Sequence, residues 1–187
     1  MIELRVVNDK EGKQYVKETI QNFHSYVPST SSVGRRIDWI VFNEGKPVGM
    51  IGIGSSVYPP PKDILRHINM TIKEYKDNFN SFANNWRFCM REKIKNAGTQ
   101  ILKELRKQAP LHWKQKYGSD LSYLITFVAG GNNGAVYKAD NWNMIGHTAG
   151  LPKHKSVSMK WHNKEELKDL YVKPTGENKK IIFIKKI

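Results

Sequence analysis

The segment Leu121–Val128, with the sequence LSYLITFV, restricts the fold more than any other part of the chain because it is almost continuously apolar. A strand with one exposed face alternates apolar and polar residues, so a nearly continuous apolar run predicts a strand that is buried on both faces. Such a strand lies near the centre of a sheet. The segment therefore predicts a layered α/β domain with helices packed on a central sheet.

The N-terminal part of the chain predicts a β-α-β-β opening. Residues 2–7 alternate like a strand, and residues 10–23 carry apolar side chains at helical spacing. Two β-rich runs, 37–42 and 47–56, flank a Glu44-Gly45 step that is typical of a hairpin turn. A helix is therefore expected between the first strand and a β-hairpin.

Three consecutive prolines after Tyr58 cannot donate to a β-ladder, so the sheet is expected to pause there. The weak helical pattern that follows predicts a helical insertion around 59–85. A short strand is expected at Trp86–Met90. A helix over about Asn96–Lys107 follows, and Pro110 is expected to bend or end it.

The C-terminal part predicts a glycine-rich turn over residues 130–134 and a short helix that ends at Ala139. Late strands are predicted at Ile145–His147, Val157–Trp161 and Ile181–Ile184. The complete order, β-α-β-β-insertion-β-α-β-α-β, predicts one α/β domain over residues 1–187 with a mixed central sheet flanked by helices.

The charge of the chain points to a polyanionic partner. Lys and Arg number 31 against 17 Asp and Glu, which gives a net charge of +14. Such an excess repels itself in the compact state, and binding to DNA relieves that repulsion. A general solubility charge is the alternative.

The single cysteine, Cys89, excludes an intramolecular disulfide and a cysteine-based metal cluster. This fits a reducing compartment. No run approaches the roughly 18 apolar residues of a membrane helix, so a cytoplasmic protein is expected.

The element order resembles the Gcn5-related N-acetyltransferase fold. The resemblance implies that an acyl-CoA enters where the fourth and fifth strands splay apart. The strands ending near Met90 and Val128 are therefore expected to diverge around a cleft.

Local motifs resemble two groups of proteins with this fold. These are the Mom DNA-modification proteins of Mu-like phages and the DruA-like domains of Druantia phage defence. The most specific segment is Gly134–Trp142, GAVYKADNW, which fits a G-x-x-Y-[KRQ]-A-x-N-W pattern. Upstream agreement is found in Val48–Ser55, in Asn84–Cys89 and in the His24-Ser25-Tyr26 segment.

The resemblance to Mom proteins implies modification of DNA adenine to a carbamoylmethyl form with acetyl-CoA or a related acyl-CoA, and iron as a further participant. Base flipping would bring a duplex adenine to the site. These families commonly carry an Asp after the central strand, where this chain has Ala129-Gly130. A non-catalytic DNA-binding module with the same fold is therefore an alternative, and acetylation of a small-molecule or protein amine is another.

A basic, glycine-containing turn before the second long helix is the candidate CoA site. Free amides at a helix start favour a pyrophosphate, whereas a plain solvated basic turn is the alternative. The candidate cofactor-binding residues are Arg87, Arg91, Lys93, Asn96, Gly98 and Thr99.

The candidate catalytic residues lie after the first helix and in the short late helix. The resemblance places Tyr137 as a general acid that protonates the leaving thiolate, whereas packing of its ring against the sheet is the alternative. Asn141 joins it as a candidate that also caps the helix, and Trp142 is expected in the core. His24 and Tyr26 are the candidates for acid/base chemistry or for a metal.

Two basic segments are candidates for nucleic-acid binding. Arg35 and Arg36 lie beside the predicted substrate loop and can contact phosphates. Lys153, Lys155 and Lys160 alternate with aromatic and histidine residues, as in surfaces that bind single strands. A charged rim around a core tryptophan is the alternative for this second segment.

Overall fold

The computed structural model describes residues 1–24, 29–30, 32, 34–129, 131–150 and 179–187. Within these residues seven strands form one mixed sheet with the order β1-β2-β3-β4-β5-β7-β6, which confirms the predicted α/β class. The strands are β1 (Ile2–Val6), β2 (Arg36–Asn43), β3 (Lys46–Ser55), β4 (Phe82–Met90), β5 (Tyr123–Val128), β6 (Asn143–His147) and β7 (Ile181–Lys186).

Helices cover both faces of this sheet. They are α1 (Lys10–Phe23), α2 (Lys62–Ile68), α3 (Ile72–Asp77), α4 (Ala97–Tyr117) and α5 (Ala135–Ala139), with a 3₁₀ turn at Phe79–Ser81. The predicted bounds of α1 are confirmed. It begins where the Asp9 side chain accepts a hydrogen bond from the Gly12 amide (2.6 Å).

The predicted hairpin is confirmed as β2 and β3, which pair antiparallel. Its two turn residues, Glu44 and Gly45, have φ angles of 52° and 80°. A two-residue turn with both residues in the left-handed region matches the twist of the strands, and the glycine takes that conformation without steric cost.

The helical insertion is shorter than the sequence predicts, and β4 is longer. The insertion ends at Ser81, and Phe82–Asn85 belong to β4 rather than to a helix. Phe82 is buried, stacks on the Tyr123 ring (centroids 5.3 Å apart) and pairs with Tyr123 in the sheet. These tertiary contacts outweigh the local pattern that favours a helix.

The prediction that Pro110 could end the helix near Lys107 is wrong, because α4 continues to Tyr117 with Pro110 inside it. Proline removes the hydrogen bond to the Arg106 carbonyl and disfavours a helix interior. Ala109 and Trp113 flank it and are fully buried, and the Trp113 indole donates to the Asn80 carbonyl (2.9 Å). Burial of this face outweighs the lost hydrogen bond.

Neighbouring residues of the central strands point to opposite layers. Leu124 packs in the large core under α4, whereas Ile125 packs with residues of α2 and α3. Met50 and Cys89 pack with Val16 and Ile20 of α1. The sheet is therefore sandwiched between α4 and α5 on one face and α1, α2 and α3 on the other.

The predicted strand at Val157–Trp161 lies outside the described residues. No helix in the described ranges combines the length and the hydrophobicity needed to cross a bilayer.

Candidate active site

The two parallel strands β4 and β5 separate partway along their length. The described pairs are Phe82 with Tyr123, Ala83 with Leu124, and Asn84 with Ile125, although β4 continues to Met90 and β5 to Val128. A cleft of about 360 Å³ lies between the separated halves. The predicted divergence of these strands is confirmed.

A β-bulge in β4 lies at the point where the strands part. Gly52 of β3 faces Arg87, and the next residue, Ile53, faces Asn85, so Trp86 is an extra residue in β4. A bulge bends its strand and increases the local twist. The bulge therefore bends β4 just beyond Asn84, the last residue that pairs with β5.

The buried side chain of Asn85 connects the bulge to the helix layer. Its Nδ2 donates to the carbonyls of Gly52 (2.8 Å) and Arg87 (3.1 Å), and its Oδ1 accepts from the Tyr137 hydroxyl (2.7 Å). Thr126 of β5 donates to the Asn85 carbonyl (3.3 Å). A buried amide with its partners made rigidifies its surroundings, so this network fixes the floor of the cleft.

Tyr137 combines the two roles that the sequence left open. Its ring is buried, stacks on Phe183 (centroids 5.6 Å apart) and meets the edge of Trp142 (5.1 Å). The residue also lines the cleft. The aromatic contacts hold the phenol in place, so its hydroxyl is a candidate proton donor with a fixed position.

His24 follows the last residue of α1 and lines the same cleft. Its backbone amide donates to the Ile20 carbonyl (3.2 Å) and caps the helix. Burial lowers the pKa of this imidazole, and the charge of Arg87 lowers it further. A histidine held neutral in this way is suited to accept a proton. Tyr26 lies outside the described residues.

Aromatic and uncharged polar side chains make up most of the lining of the cleft. Among the described residues that line the cleft there is no Asp, Glu or Lys, and Arg87 is the one arginine. Cys89 also lines it, but burial raises the pKa of its thiol to about 11, so the thiol is protonated near neutral pH.

The turn before α4 and the first turn of α4 together carry most of the candidate CoA ligands. Lys93 and Asn96 are exposed, and Asn96 adopts φ 58° at the start of α4 without a side-chain cap. The Thr99 hydroxyl donates to the Asn96 carbonyl (3.3 Å). Gly98 packs against α5, where a Cβ would overlap the Val136 side chain. The first amides of α4 therefore have no capping side chain, as an anion site requires.

Two candidate arginines, Arg87 in β4 and Arg91 directly after it, have different surroundings. Arg87 lines the cleft and donates to the carbonyls of Trp86 (2.7 Å) and Ser29 (3.0 Å). Arg91 instead contacts α1, where it donates to the Thr19 hydroxyl (2.8 Å) and lies 3.7 Å over the Tyr15 ring. The structure thus places Arg91 as a link between the end of β4 and α1.

Asn141 is not among the residues that line the cleft. It is exposed, follows α5 with φ 55°, and its carbonyl accepts from Lys185 (2.8 Å). The core position expected for Trp142 is confirmed, and its indole donates to Asp140 (2.9 Å). Asp140 forms an ion pair with Arg106 that ties this segment to α4.

Arg35 and Arg36 are both partly buried and bonded within the protein. Arg35 donates to the Ser119 hydroxyl (3.2 Å), and Arg36 donates to Asp38 (2.6 Å) and to the Thr30 carbonyl (2.8 Å). The candidate residues Lys153, Lys155 and Lys160 lie outside the described residues. Their contact with nucleic acid stays a prediction.

Sequence reasoning missed Asn85 and Trp86 as individual site residues. The available signal was an amide in a strand that is otherwise buried, since a buried polar side chain needs partners inside the protein. Within the described ranges, no three His, Cys, Asp or Glu side chains come close enough together to hold a metal ion.

A mixed sheet whose parallel fourth and fifth strands open around a cleft, with a long helix after the fourth strand, defines a Gcn5-related N-acetyltransferase fold. Solved structures confirm this class. The chain is similar to an IAA acetyltransferase from Bacillus cereus (TM-score 0.54, 12% identity, 100% of each chain covered). It is also similar to an acetyltransferase of the GNAT family from Streptococcus pneumoniae (0.52, 14%, 100% of each chain).

A third similar structure is an aminoglycoside acetyltransferase in complex with coenzyme A and kanamycin (TM-score 0.56, 9% identity, 100% of this chain and 95% of that chain). At such identities the likeness shows the fold. No protein-family model and no curated protein matches the chain.

Proposed function

We propose that this protein is an acyl-CoA-dependent acyltransferase whose acceptor is a base of DNA. The observation that carries the first half of the proposal is the cleft between β4 and β5, which His24 and Tyr137 both line. The structural neighbours are acetyltransferases, and one is bound to coenzyme A. The net charge of +14 and the resemblance of Gly134–Trp142 to Mom proteins support the second half.

The described residues fit an acyl-CoA. The uncapped amides at the start of α4, with Lys93 and Asn96 beside them, are suited to hold its phosphates. The cleft is large enough for an extended thioester arm. When bound, an acyl-CoA supplies an acyl group activated as a thioester. Holding it at the bulge of β4 would bring the thioester between His24 and Tyr137.

His24 and Tyr137 are proposed to move the protons. A neutral His24 accepts a proton from the attacking amine of the acceptor as its bond to the acyl carbon forms. Tyr137 returns a proton to the leaving sulfur, so that an amide and a free thiol result. The hydroxyl of Tyr137 donates to Asn85 before the reaction and must turn from it to act.

A non-catalytic DNA-binding module is the second candidate. The absence of a carboxylate among the described residues that line the cleft favours it, because a common general base is then missing. This candidate predicts salt-dependent DNA binding without affinity for coenzyme A.

The first experiment is calorimetric titration with acetyl-CoA. We expect Lys93→Glu to weaken binding about fivefold, since it reverses a charge beside the phosphate site. Lys76→Glu on α3 is the matched control, because it makes the same charge change at an exposed position outside the cleft. Lack of binding by the wild-type protein would contradict the acyltransferase proposal.

The second experiment tests the acceptor. The protein is incubated with acetyl-CoA and DNA, and the digested nucleosides are analysed by mass spectrometry. A deoxyadenosine heavier by one acyl group supports the proposal. Unmodified DNA, together with acetylation of an aminoglycoside or a peptide amine, would reassign the acceptor to a small molecule or a protein.

A further inference from the structure

The indole of Trp86 forms a hydrogen bond with a carboxylate that does not line the cleft. Its Nε1 donates to Asp38 Oδ1 (3.1 Å) across β3, and Asp38 Oδ2 accepts from Arg36 Nε (2.6 Å). The guanidinium of Arg36 lies 4.0 Å from the centre of the Trp86 ring. The three side chains form one cluster, and Trp86 packs against the core under α1.

Gly52 of β3 makes this cluster possible. A Cβ at this position would lie 2.5 Å from Trp86 Nε1 and would overlap Asp38 Oδ1. A side chain here would therefore separate the carboxylate from the indole. The glycine, the carboxylate and the indole belong to three neighbouring strands, so the contact ties β2 to β4 across β3.

The cluster is a poor source of stability by itself. The Asp38 side chain is 12% exposed, and burial raises the pKa of this carboxyl although Arg36 opposes the shift. A buried ion pair seldom stabilises a protein more than apolar side chains of the same volume. The contribution of the cluster is instead to fix the position of Trp86.

Trp86 is the extra residue of the bulge, and its two neighbours reach the cleft. Asn85 accepts from Tyr137, and Arg87 lines the cleft beside His24. Any rotation of the strand about Trp86 moves both neighbours. The side chain that fixes Trp86 therefore also fixes the width and floor of the cleft.

We propose that Asp38 is a positioning residue: by accepting a hydrogen bond from the Trp86 indole, it holds the bulge of β4 in the conformation that binds an acyl-CoA. The identity of the ligand as an acyl-CoA rests on the proposed function. The role of Asp38 in holding the bulge does not depend on it.

The test is a double-mutant cycle read by calorimetric titration with coenzyme A. We expect Asp38→Ala to weaken binding about tenfold, and Asp38→Asn, which keeps a carbonyl acceptor for the indole, to stay within about twofold of wild type. In a Trp86→Phe background the indole donor is absent, so Asp38→Ala should cost no further affinity. Asp77→Ala, an exposed carboxylate on α3, is the matched control.

Two results would overturn the proposal. One is unchanged affinity in folded Asp38→Ala, and the other is an equal loss in the wild-type and Trp86→Phe backgrounds. If Asp38→Ala does not fold, Gly52→Ala breaks the same contact from β3 and should weaken binding in its place.

Amide hydrogen exchange separates this proposal from the proposed function. Residues 84–88 should exchange faster in Asp38→Ala and in Gly52→Ala than in wild type, with β1 unchanged, even if the wild-type protein does not bind coenzyme A. Unchanged exchange at residues 84–88 in both variants would refute the role of Asp38 whatever the ligand is.

Discussion

Gly134 begins the helix that carries Tyr137, and its replacement by alanine should destabilise the protein measurably. Its φ is 70°, and an added Cβ would lie 2.5 Å from Cζ of the fully buried Phe183 ring and closer still to Cε2. The left-handed backbone costs about 1 kcal/mol for alanine. Overpacking against a fixed ring costs about 1–3 kcal/mol more, so the total loss should be about 2–4 kcal/mol.

Gly118→Ala separates these two costs. Gly118 ends α4 with φ 68°, and a Cβ there meets no atom within 4 Å, so it bears only the backbone cost of about 1 kcal/mol. Urea denaturation of the three proteins gives the free energies of unfolding. Equal losses for the two variants would refute the reasoning, because the contact with Phe183 would then cost nothing.

Three further predictions concern the site and its supports. Tyr137→Phe keeps the ring contacts but leaves Oδ1 of Asn85 without its donor, so the free energy of unfolding measured in urea should be about 1–3 kcal/mol lower. Acyl transfer should fall about 100-fold or more, and undiminished turnover would exclude the acid role. Burial lowers the pKa of His24, so the imidazole binds a proton less readily in the folded state than in the unfolded state. The stability of the protein should therefore fall as the pH drops through about 6.5. Thermal melts of His24→Gln should show a weaker dependence on pH. Arg106→Met leaves the mostly buried Asp140 without its cation and should lower the free energy of unfolding by about 2 kcal/mol. Adding Asp140→Asn should restore part of this loss. No recovery in the double variant would show that the ion pair is not the cause.

The elements with strong local signals were predictable from the sequence. The spacing of apolar residues in 10–23 and the Glu44-Gly45 turn each specify their structure without help from the rest of the chain. Pro110 and Phe82–Asn85 were not predictable in this way. Their local preference opposes the observed structure, and burial of Trp113 and stacking of Phe82 decide the outcome.

The candidate site was predictable only in part. The resemblance directed attention to His24 and Tyr137, which the cleft brings together. Asn85, Trp86 and Asp38 depend on the register between β2, β3 and β4, and a bulge changes that register by one residue. Because a single sequence does not specify where a bulge falls, these contacts emerge only from the assembled sheet.

The position of β7 in the sheet has a consequence for how the protein is made. β7 lies between β5 and β6, and Ile182, Phe183 and Ile184 are fully buried. Both neighbours leave the ribosome before it, so the edge of β5 stays open until residues 181–186 emerge. A nascent chain stalled before that point would expose an apolar strand edge to other chains, and the Phe183 ring that stacks on Tyr137 would still be missing.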